Sequence, residues 1–260
     1  MSRLAKIRAV AEFPGMVVQA GAARALAQTS KAPRFCGIYP SREAALEAIP
    51  KSALSGYDHS EIAEVSLEQM SQRSLFDYPI AFWLTRLLPE SPAVVDVGGH
   101  FGTKYIALRD LVDLEDVSWS VVDLPQIIEA AKTKQLNNEL PAPIQFLAEY
   151  PNSGNSSILI ASGLFQYFDR PLSELLESRP KHVLMNKIAV TAGKSFFTLE
   201  RIGNARVPYQ VRNKDLWRTE VENCGYEIVD TWQIPSISHK ISTHPWRPAS
   251  QSFGMYVRRS

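Results

Sequence analysis

Cysteine is scarce in this sequence, and long apolar runs are absent from it. The two cysteines, Cys36 and Cys224, lie far apart and fit no Cys-x-x-Cys or Cys/His ligand spacing, which argues against a disulfide framework and a structural zinc. No segment approaches the roughly 20 apolar residues that a membrane-spanning helix needs. Glu12 and Pro14 interrupt the first apolar stretch before it could serve as a secretory signal. We therefore expect a cytoplasmic protein in a reducing compartment.

An excess of charge of either sign is also missing. The 28 basic and 27 acidic side chains leave a net charge of +1. No run of lysine or arginine could follow a phosphate backbone or lie on an anionic bilayer. We therefore expect neither nucleic acid nor a membrane as a partner. Hydrophobic residues make up 45% of the 260 positions and charged residues 21%, which is typical of a globular protein with one main domain.

The signals for secondary structure change near residue 88. Up to that point they are helical, with Ser41 and Ser60 as candidate N-caps and Pro79 in a first helical turn. Beyond it, short β-branched runs alternate with helices, as expected of a parallel sheet covered on both faces. The sequence therefore predicts a helical cap over residues 1–88 and an α/β domain over residues 89–260.

The last two strands of the α/β domain are expected to pair with each other, because the segment between these two candidates is a long loop without a helix. The strand candidates are AVVDV, VSWSVVD, PIQFLA, SSILIASG, HVLMNKIAV, YEIVDTW and SFGMYVRR. The helix candidates are TKYIALRDLVDL, PQIIEAAKT, PLSELLES and NKDLWRTEVENCG.

The stretch VVDVGGHFGTKY joins the first strand candidate to the first helix. Gly98, Gly99 and Gly102 therefore lie at the carboxyl end of a strand, where open α/β sheets bind ligands. Glycine there lets the backbone approach a nucleotide-like ligand, although a tight turn without a ligand is the alternative. Asp96 lies just upstream, and its carboxylate would repel the pyrophosphate of a dinucleotide. A ligand with an amine and no phosphate, such as S-adenosyl-L-methionine (SAM), fits better.

Asp123 ends the second strand candidate and supports the same choice. It lies about 20 residues beyond the glycine loop, where an acidic side chain accepts hydrogen bonds from the ribose hydroxyls of a bound nucleotide. This spacing alone would also fit NAD, but together with Asp96 it favours SAM. The alternative role for Asp123, an N-cap ahead of Pro125, is compatible with ribose binding.

The ordered set VVDVGGHFG, VVDLP and ASGLFQYF resembles the class I SAM-dependent methyltransferases. More narrowly, FCGIYPSREAALEA, SGYD, FDYPIAFWL, MNKIAV, VPYQVRN and GYEIVDTW resemble a bacterial methyltransferase family found among biosynthetic genes for polysaccharides and small natural products. Some relatives of that family are azetidine-2-carboxylate synthases. The resemblance implies a Rossmann-like sheet of seven strands, six parallel and the last antiparallel, with an N-terminal helical cap.

The same resemblance implies the residues of a SAM site and a homodimer through the N-terminal helices. The implied cofactor-binding residues are Asp96, Gly98, Gly99 and Gly102 in the glycine loop, Asp123 and Leu124 at the ribose and adenine, and Ser162, Gly163 and Leu164 at the methionine end. Asn186 and Lys187 occupy positions where related sequences tend to have an arginine and a second polar group.

The sulfonium of SAM is positively charged, and the face of an aromatic ring attracts a positive charge. Aromatic side chains that could form a wall beside the sulfonium are therefore candidates for the catalytic site. Tyr78 and Tyr167 are the candidates for such a wall, Asn186 for a polar contact, and His239 in the long late loop for a base. We expect no metal site, because His239 and His244 have neither helical register nor a third ligand.

The reaction expected is methyl transfer from SAM to the oxygen or nitrogen of a small metabolite. A first alternative keeps the fold and changes the carbon of SAM that is attacked. In it SAM is the only substrate, and its own amine displaces methylthioadenosine to form azetidine-2-carboxylate. A second alternative is a catalytically silent SAM-binding module that acts through a partner.

Overall fold

The computed structural model describes residues 3–55, 67–150 and 157–260, so the predicted cap Ser60 and the SGYD segment beyond Ser55 lie outside the described residues. The strands are β1 Phe35–Tyr39, β2 Leu54–Ser55, β3 Ala93–Val97, β4 Ser118–Val122, β5 Ile144–Leu147, β6 Ile158–Ser162, β7 His182–Thr191, β8 Phe196–Ile202, β9 Ala205–Asn213, β10 Tyr226–Gln233 and β11 Gln251–Arg259. The helices are α1 Arg3–Ala27, α2 Arg42–Glu47, α3 Leu67–Ser71, α4 Tyr78–Leu87, α5 Thr103–Leu108, α6 Pro125–Leu136, α7 Leu172–Leu175 and α8 Lys214–Asn223, and a 3₁₀ turn covers Leu75–Asp77.

Two compact units divide the chain. One holds the described residues before 56 with Ala189–Asn213 and Ile237–Gln251, and the other holds the remaining described residues. The smaller unit is therefore assembled from three separate segments, whereas the predicted boundary was a single point at residue 88.

The larger unit contains the predicted Rossmann-like sheet. Its strands follow the order β10-β11-β7-β6-β3-β4-β5, with residues 182–188 of β7 in this unit. The pairs β3–β4, β3–β6, β4–β5 and β6–β7 are parallel, and β10 pairs antiparallel with β11. All seven strand candidates are present. The α/β fold class, the parallel sheet with an antiparallel edge and the helical N-terminus are confirmed.

Apolar runs explain why the central strands form where they do. In β3 and β6 almost every side chain is buried, as required of parallel strands covered on both faces. Helices α4, α5 and α6 cover the sheet with apolar side chains, of which Leu84, Leu108 and Ile128 are at most 2% exposed. Pro79 lies in the first turn of α4 and Pro125 in that of α6, as predicted.

The smaller unit contains strands that the sequence analysis did not place. In it β8 and β9 form an antiparallel hairpin, β1 pairs with β8 and β2 with β9. The turn is Gly203 and Asn204, and Gly203 has φ +55. The expectation of a purely helical segment up to residue 88 was therefore wrong at β1 and β2. The predicted helix α2 is present, and Ser41 Oγ caps it by accepting from Ala44 N at 3.2 Å.

Candidate functional site

A cavity of about 230 Å³ opens in the larger unit, where β3 and β6 end. Four residues that the sequence placed in a cofactor site line it: Asp96, Gly98, Gly99 and Ser162. The other lining residues come from α3, from the segment between α3 and the 3₁₀ turn, from the turn itself, from α5 and from β7. The structure therefore brings the glycine loop and the end of the fourth predicted strand together, as parallel strands in one sheet require.

The glycine loop has a shape that side chains would obstruct. Gly98 has φ +69, and its N–H donates to the carbonyl of Val122 at 2.8 Å. A Cβ on Gly99 would lie 2.6 Å from Cγ of Asp96, a contact that real side chains do not make. Gly102 also has a positive φ, but it lies against Ile144 and outside the cavity lining. Gly98 and Gly99 therefore shape the cavity, and Gly102 turns the chain into α5.

Asp96 places a carboxylate in the cavity wall. The residue is 1% exposed, and neither carboxylate oxygen accepts a hydrogen bond of normal geometry from the described residues. Burial raises the pKa of this carboxyl to about 7, against a lowering by the nearby charge of Lys104. Ser162 Oγ in the same lining is likewise without a partner among the described residues. Buried polar groups are normally paired, so these two side chains keep hydrogen-bonding capacity for a group bound in the cavity.

A buried ion pair contributes Lys104 to the cavity lining. Lys104 Nζ lies 2.5 Å from Asp77 Oδ1, and the two side chains are 6% and 0% exposed. The backbone N–H of Ser74 also donates to Asp77, at 3.0 Å, so this carboxylate fastens the 3₁₀ turn as well as the lysine. The pair holds Phe76 at the cavity, where its ring centroid lies 5.5 Å from Lys104 Nζ.

Lys187 is a second cation in the lining. Its Nζ lies 5.4 Å from the centroid of the Phe76 ring. Burial lowers the pKa of this ammonium to about 8, and the like charge of Lys104 lowers it further. Lys187 also has φ +58, an uncommon value for a residue with a side chain. Gln166 Nε2 donates to its carbonyl at 2.7 Å and so holds the backbone in that conformation.

Asp123 lies beside the glycine loop and outside the cavity lining. It accepts hydrogen bonds from the backbone N–H groups of His100 and Leu124, both at 2.8 Å. His100 has φ +54, so this bond holds a strained residue of the loop in place. Burial raises the pKa of Asp123, and the two backbone hydrogen bonds oppose that shift. Leu124 is 42% exposed, which leaves its side chain accessible for a contact with a bound ring.

The loop after β6 contacts both the glycine loop and Lys187. A Cβ on Gly98 would meet Leu164 Cδ1 at 2.9 Å, and one on Gly163 would meet Lys187 Nζ at 3.1 Å. Gly163 has φ +79, and its N–H donates to the carbonyl of Asn186 at 2.9 Å. The predicted residues Gly163 and Leu164 therefore lie next to the cavity and contact residues that line it.

Asn186 holds other parts of the site in place. Its Nδ2 donates to the carbonyl of Phe76 at 2.9 Å, and its Oδ1 accepts from Trp232 Nε1 at 3.0 Å. The residue is fully buried and is absent from the cavity lining. A contact with substrate stays a prediction, and the geometry is that of a positioning residue for Phe76.

The other three candidates for catalysis also lie outside the lining, and their catalytic roles stay predictions. Tyr78 begins α4 and is 49% exposed, and Tyr167 is partly buried in the loop after β6. His239 belongs to the smaller unit, where its Nδ1 lies 2.9 Å from Ser250 Oγ. Burial lowers the pKa of His239 to about 4, and the charge of Arg34 adds to the effect.

Two cavity residues, Phe76 and Lys104, were not among the predicted site residues. Lys104 carried a usable signal, because a cation in the first turn of a helix opposes the helix dipole and needs a partner. The partner, Asp77, is 27 positions away along the chain, and no local pattern connects the two residues. The FFTLERI-GN-ARVPYQVRN segment, missed as strands, carries a two-residue Gly-Asn turn between β-rich runs, which is a hairpin signature.

Within the described ranges, no three His, Cys, Asp or Glu side chains lie close enough together to hold a metal ion. Across the same residues, the helices are all too short or too polar to span a bilayer.

Solved structures share this fold, whereas no protein-family model and no curated protein matches the chain. A 1,6-didemethyltoxoflavin-N1-methyltransferase of Burkholderia thailandensis, crystallised with 1,6-didemethyltoxoflavin and S-adenosylhomocysteine, is 14% identical, with a TM-score of 0.50 over 72% of this chain and 79% of that chain. OxaC, crystallised with S-adenosylhomocysteine and oxaline, is 14% identical, with a TM-score of 0.51 over 78% of this chain and 52% of that chain. These likenesses show the fold. This chain spans about half the length of OxaC.

Proposed function

We propose that this protein is a SAM-dependent enzyme that transfers the methyl group of SAM to a small-molecule acceptor. The observation that carries the proposal is the buried carboxylate of Asp96, which accepts no hydrogen bond of normal geometry from the described residues and lines a cavity beside a glycine loop. An ionised carboxylate in such a place needs a cationic ligand group. It would repel the phosphates of a dinucleotide, so SAM, with its amine, suits the site better than NAD.

The residues around the cavity fit the parts of SAM. Asp96 would accept hydrogen bonds from its amine, and Ser162 Oγ offers a further polar contact in the same lining. Asp123 keeps lone pairs for ribose hydroxyls, because each of its oxygens accepts one backbone hydrogen bond. Leu124 would lie against the adenine. The two structural neighbours described above, both crystallised with S-adenosylhomocysteine, support the same cofactor.

Bound SAM supplies an electrophilic methyl group on a sulfonium, and the protein's part is to orient the acceptor and to exclude water. Phe76 and Met70 contribute apolar side chains to the cavity lining. Asn186 and the Asp77–Lys104 pair hold Phe76 from two sides. A small natural-product or sugar precursor is the class of acceptor that we propose.

A product assay tests the proposal. Purified protein is incubated with SAM, with and without a panel of small acceptors, and nucleoside products are separated by chromatography. S-adenosylhomocysteine that forms only with an acceptor supports methyl transfer. Methylthioadenosine that forms without any acceptor would support cyclisation of SAM to azetidine-2-carboxylate in its place. SAM binding without turnover would support the silent binding module, and absence of binding would refute all three.

Asp123→Ala is expected to weaken SAM binding about 10- to 100-fold, since charge-assisted hydrogen bonds to the ribose contribute about 1.5–3 kcal/mol. Calorimetric titration measures the effect. Methylthioadenosine affinity should fall by the same factor, because that ligand keeps the ribose. Asp116→Ala removes an exposed carboxylate and is the control. Equal affinities of the Asp123 and Asp116 variants would contradict the ribose assignment.

Gly99→Ala is expected to abolish detectable SAM binding, because its Cβ would lie 2.6 Å from Oδ2 of Asp96 and push that carboxylate away. Gly193→Ala is a matched control, since the nearest side-chain atom to its Cβ is Thr191 Oγ1 at an ordinary 3.7 Å. Both variants are compared by calorimetric titration and by thermal unfolding. If Gly99→Ala keeps the SAM affinity of the wild type, the proposed contact between Asp96 and SAM is contradicted.

The cytoplasmic location and the homodimer through the N-terminal helices stay proposals. Helix α1 supports a dimer, because apolar side chains along it are exposed, with Val18 at 73% and Phe13 at 52%. Sedimentation of the wild-type protein and of Val18→Glu tests the dimer.

A further inference from the structure

Lys187 brings a cation into the cavity that the protein itself does not neutralise. Within the described part of the chain, no carboxylate lies at ion-pair distance from its Nζ, although the cavity wall contains Asp96. Asp77 and Asp96 attract this ammonium from a longer distance, and the cation at ion-pair distance from Asp77 is Lys104, at 2.5 Å. Burying an ammonium without a partner is costly. A structural role alone would be served by an apolar side chain of the same length.

The surroundings of Lys187 are shaped to accept the charged end of the side chain. The ring of Phe76 lies 5.4 Å from Nζ, and an aromatic face stabilises a cation. Gly163 leaves the room, since a Cβ there would lie 3.1 Å from both Cε and Nζ of the lysine. The bond from Gln166 to the Lys187 carbonyl holds the left-handed backbone that directs the side chain this way.

Asp96 and Lys187 are thus two opposite charges in one lining that do not pair with each other. Burial raises the pKa of the first to about 7 and lowers the pKa of the second to about 8, and the attraction between the two charges opposes both shifts without cancelling them. One ligand group would satisfy both charges at once if it carried an ammonium and a carboxylate on neighbouring atoms.

We propose that Asp96 and Lys187 together bind an α-amino-acid head group, with Asp96 at its ammonium and Lys187 at its carboxylate. This inference rests on the proposed function, in which the head group is the methionine end of SAM. The same chemistry could come from an amino-acid acceptor bound beside the nucleoside. Lys187 is then a determinant of which sulfonium ligands the site accepts, since it distinguishes SAM from a ligand that has lost the carboxylate.

Calorimetric titration with three ligands tests the proposal. SAM has the whole head group, decarboxylated SAM lacks only the carboxylate, and methylthioadenosine lacks the head group entirely. The wild-type protein is expected to bind SAM at least about 10-fold more tightly than decarboxylated SAM, because only SAM can accept a charge-assisted hydrogen bond from Lys187 at its carboxylate. In Lys187→Met that ratio should fall close to one, with methylthioadenosine affinity unchanged within about two-fold. In Lys187→Arg most of the ratio should return.

The Asp123→Ala variant is the matched control, because it should weaken all three ligands by one common factor. Thermal unfolding of each variant confirms folding. A second arm titrates α-amino acids into protein saturated with methylthioadenosine. Binding there that is lost in Lys187→Met assigns the head group to an acceptor.

The outcomes separate this inference from the proposed function. A wild-type protein that binds SAM and decarboxylated SAM equally, with no amino-acid binding in the second arm, overturns the role of Lys187 and leaves the SAM site standing. A SAM preference that persists unchanged in Lys187→Met overturns it as well. If none of the three nucleosides binds to the wild type, the proposed function itself fails.

Discussion

Asp96→Asn is expected to lower the affinity for SAM about 100-fold and, in the absence of ligand, to raise the free energy of unfolding above pH 7. The loss of affinity follows from the loss of the charge that would pair with the amine of the ligand. The gain in stability follows from burial, because the folded protein holds this carboxylate without a hydrogen bond of normal geometry from the described residues, and the nearby lysines offset its desolvation only in part.

The pH dependence of that gain has a definite sign. Burial raises the pKa of Asp96 from 3.8 in the unfolded chain to about 7 in the folded protein. A group with a raised pKa contributes most to stability when it is protonated, below its unfolded pKa, and that contribution is lost as the pH rises through the folded value. The difference of about three pKa units corresponds to about 4 kcal/mol at most. An asparagine does not titrate, so its contribution to the free energy of unfolding does not change with pH.

Urea unfolding at several pH values between 4 and 8 measures this effect. The stability of Asp96→Asn relative to the wild type should rise from pH 4 to about pH 7 and then level off. Asp116→Asn, at an exposed position, should show a flat difference. A flat difference for Asp96→Asn too would mean that Asp96 is not strained by burial, and the main support for a cationic ligand would be lost.

The same titration predicts how SAM binding depends on pH. Only the ionised carboxylate attracts the amine, and Asp96 becomes mostly protonated in the ligand-free protein below its pKa of about 7. SAM affinity should therefore fall by up to about 10-fold per pH unit on the acid side of that value. Proton release on binding near pH 7, seen as a dependence of the calorimetric heat on the buffer, checks the mechanism and should vanish in Asp96→Asn.

The second large effect is expected at the buried ion pair. Asp77→Ala should lower the free energy of unfolding by about 3–5 kcal/mol, because it leaves the ammonium of Lys104 buried without a partner. It also removes the acceptor of the Ser74 N–H at the start of the 3₁₀ turn. Urea unfolding at neutral pH measures the loss.

Two further variants interpret this result. Asp77→Ala with Lys104→Met should regain much of the lost stability, since it replaces the orphaned charge by an apolar side chain of similar length. Asp110→Ala removes a pair with Arg73 that is longer, at 3.4 Å, and largely exposed, so its cost should stay below about 1 kcal/mol. A double variant no more stable than Asp77→Ala would assign the loss to the turn, and equal losses at Asp77 and Asp110 would contradict a buried pair.

Much of the fold was accessible from the sequence because its signals are local. The run AVVDV predicted β3 with both its limits, and the prolines in the first turns of α4 and α6 marked the helix starts within a residue. The hairpin of β8 and β9 was equally local and was overlooked, although its Gly-Asn turn is visible in the sequence. Strands β1 and β2 are different, because each is short and becomes a strand only through pairing with β8 or β9.

The candidate site also has a part that the sequence predicts locally and a part that depends on distant residues. The sequence alone determined that Asp96, Gly98 and Gly99 lie at the end of a parallel strand, since a strand followed by a glycine turn and a helix has few other arrangements. It could not determine which charges would be paired. Among the described residues, Lys104 has a carboxylate at ion-pair distance and Lys187 does not. That difference depends on side chains brought together from distant positions, and burial then decides which charges require a ligand.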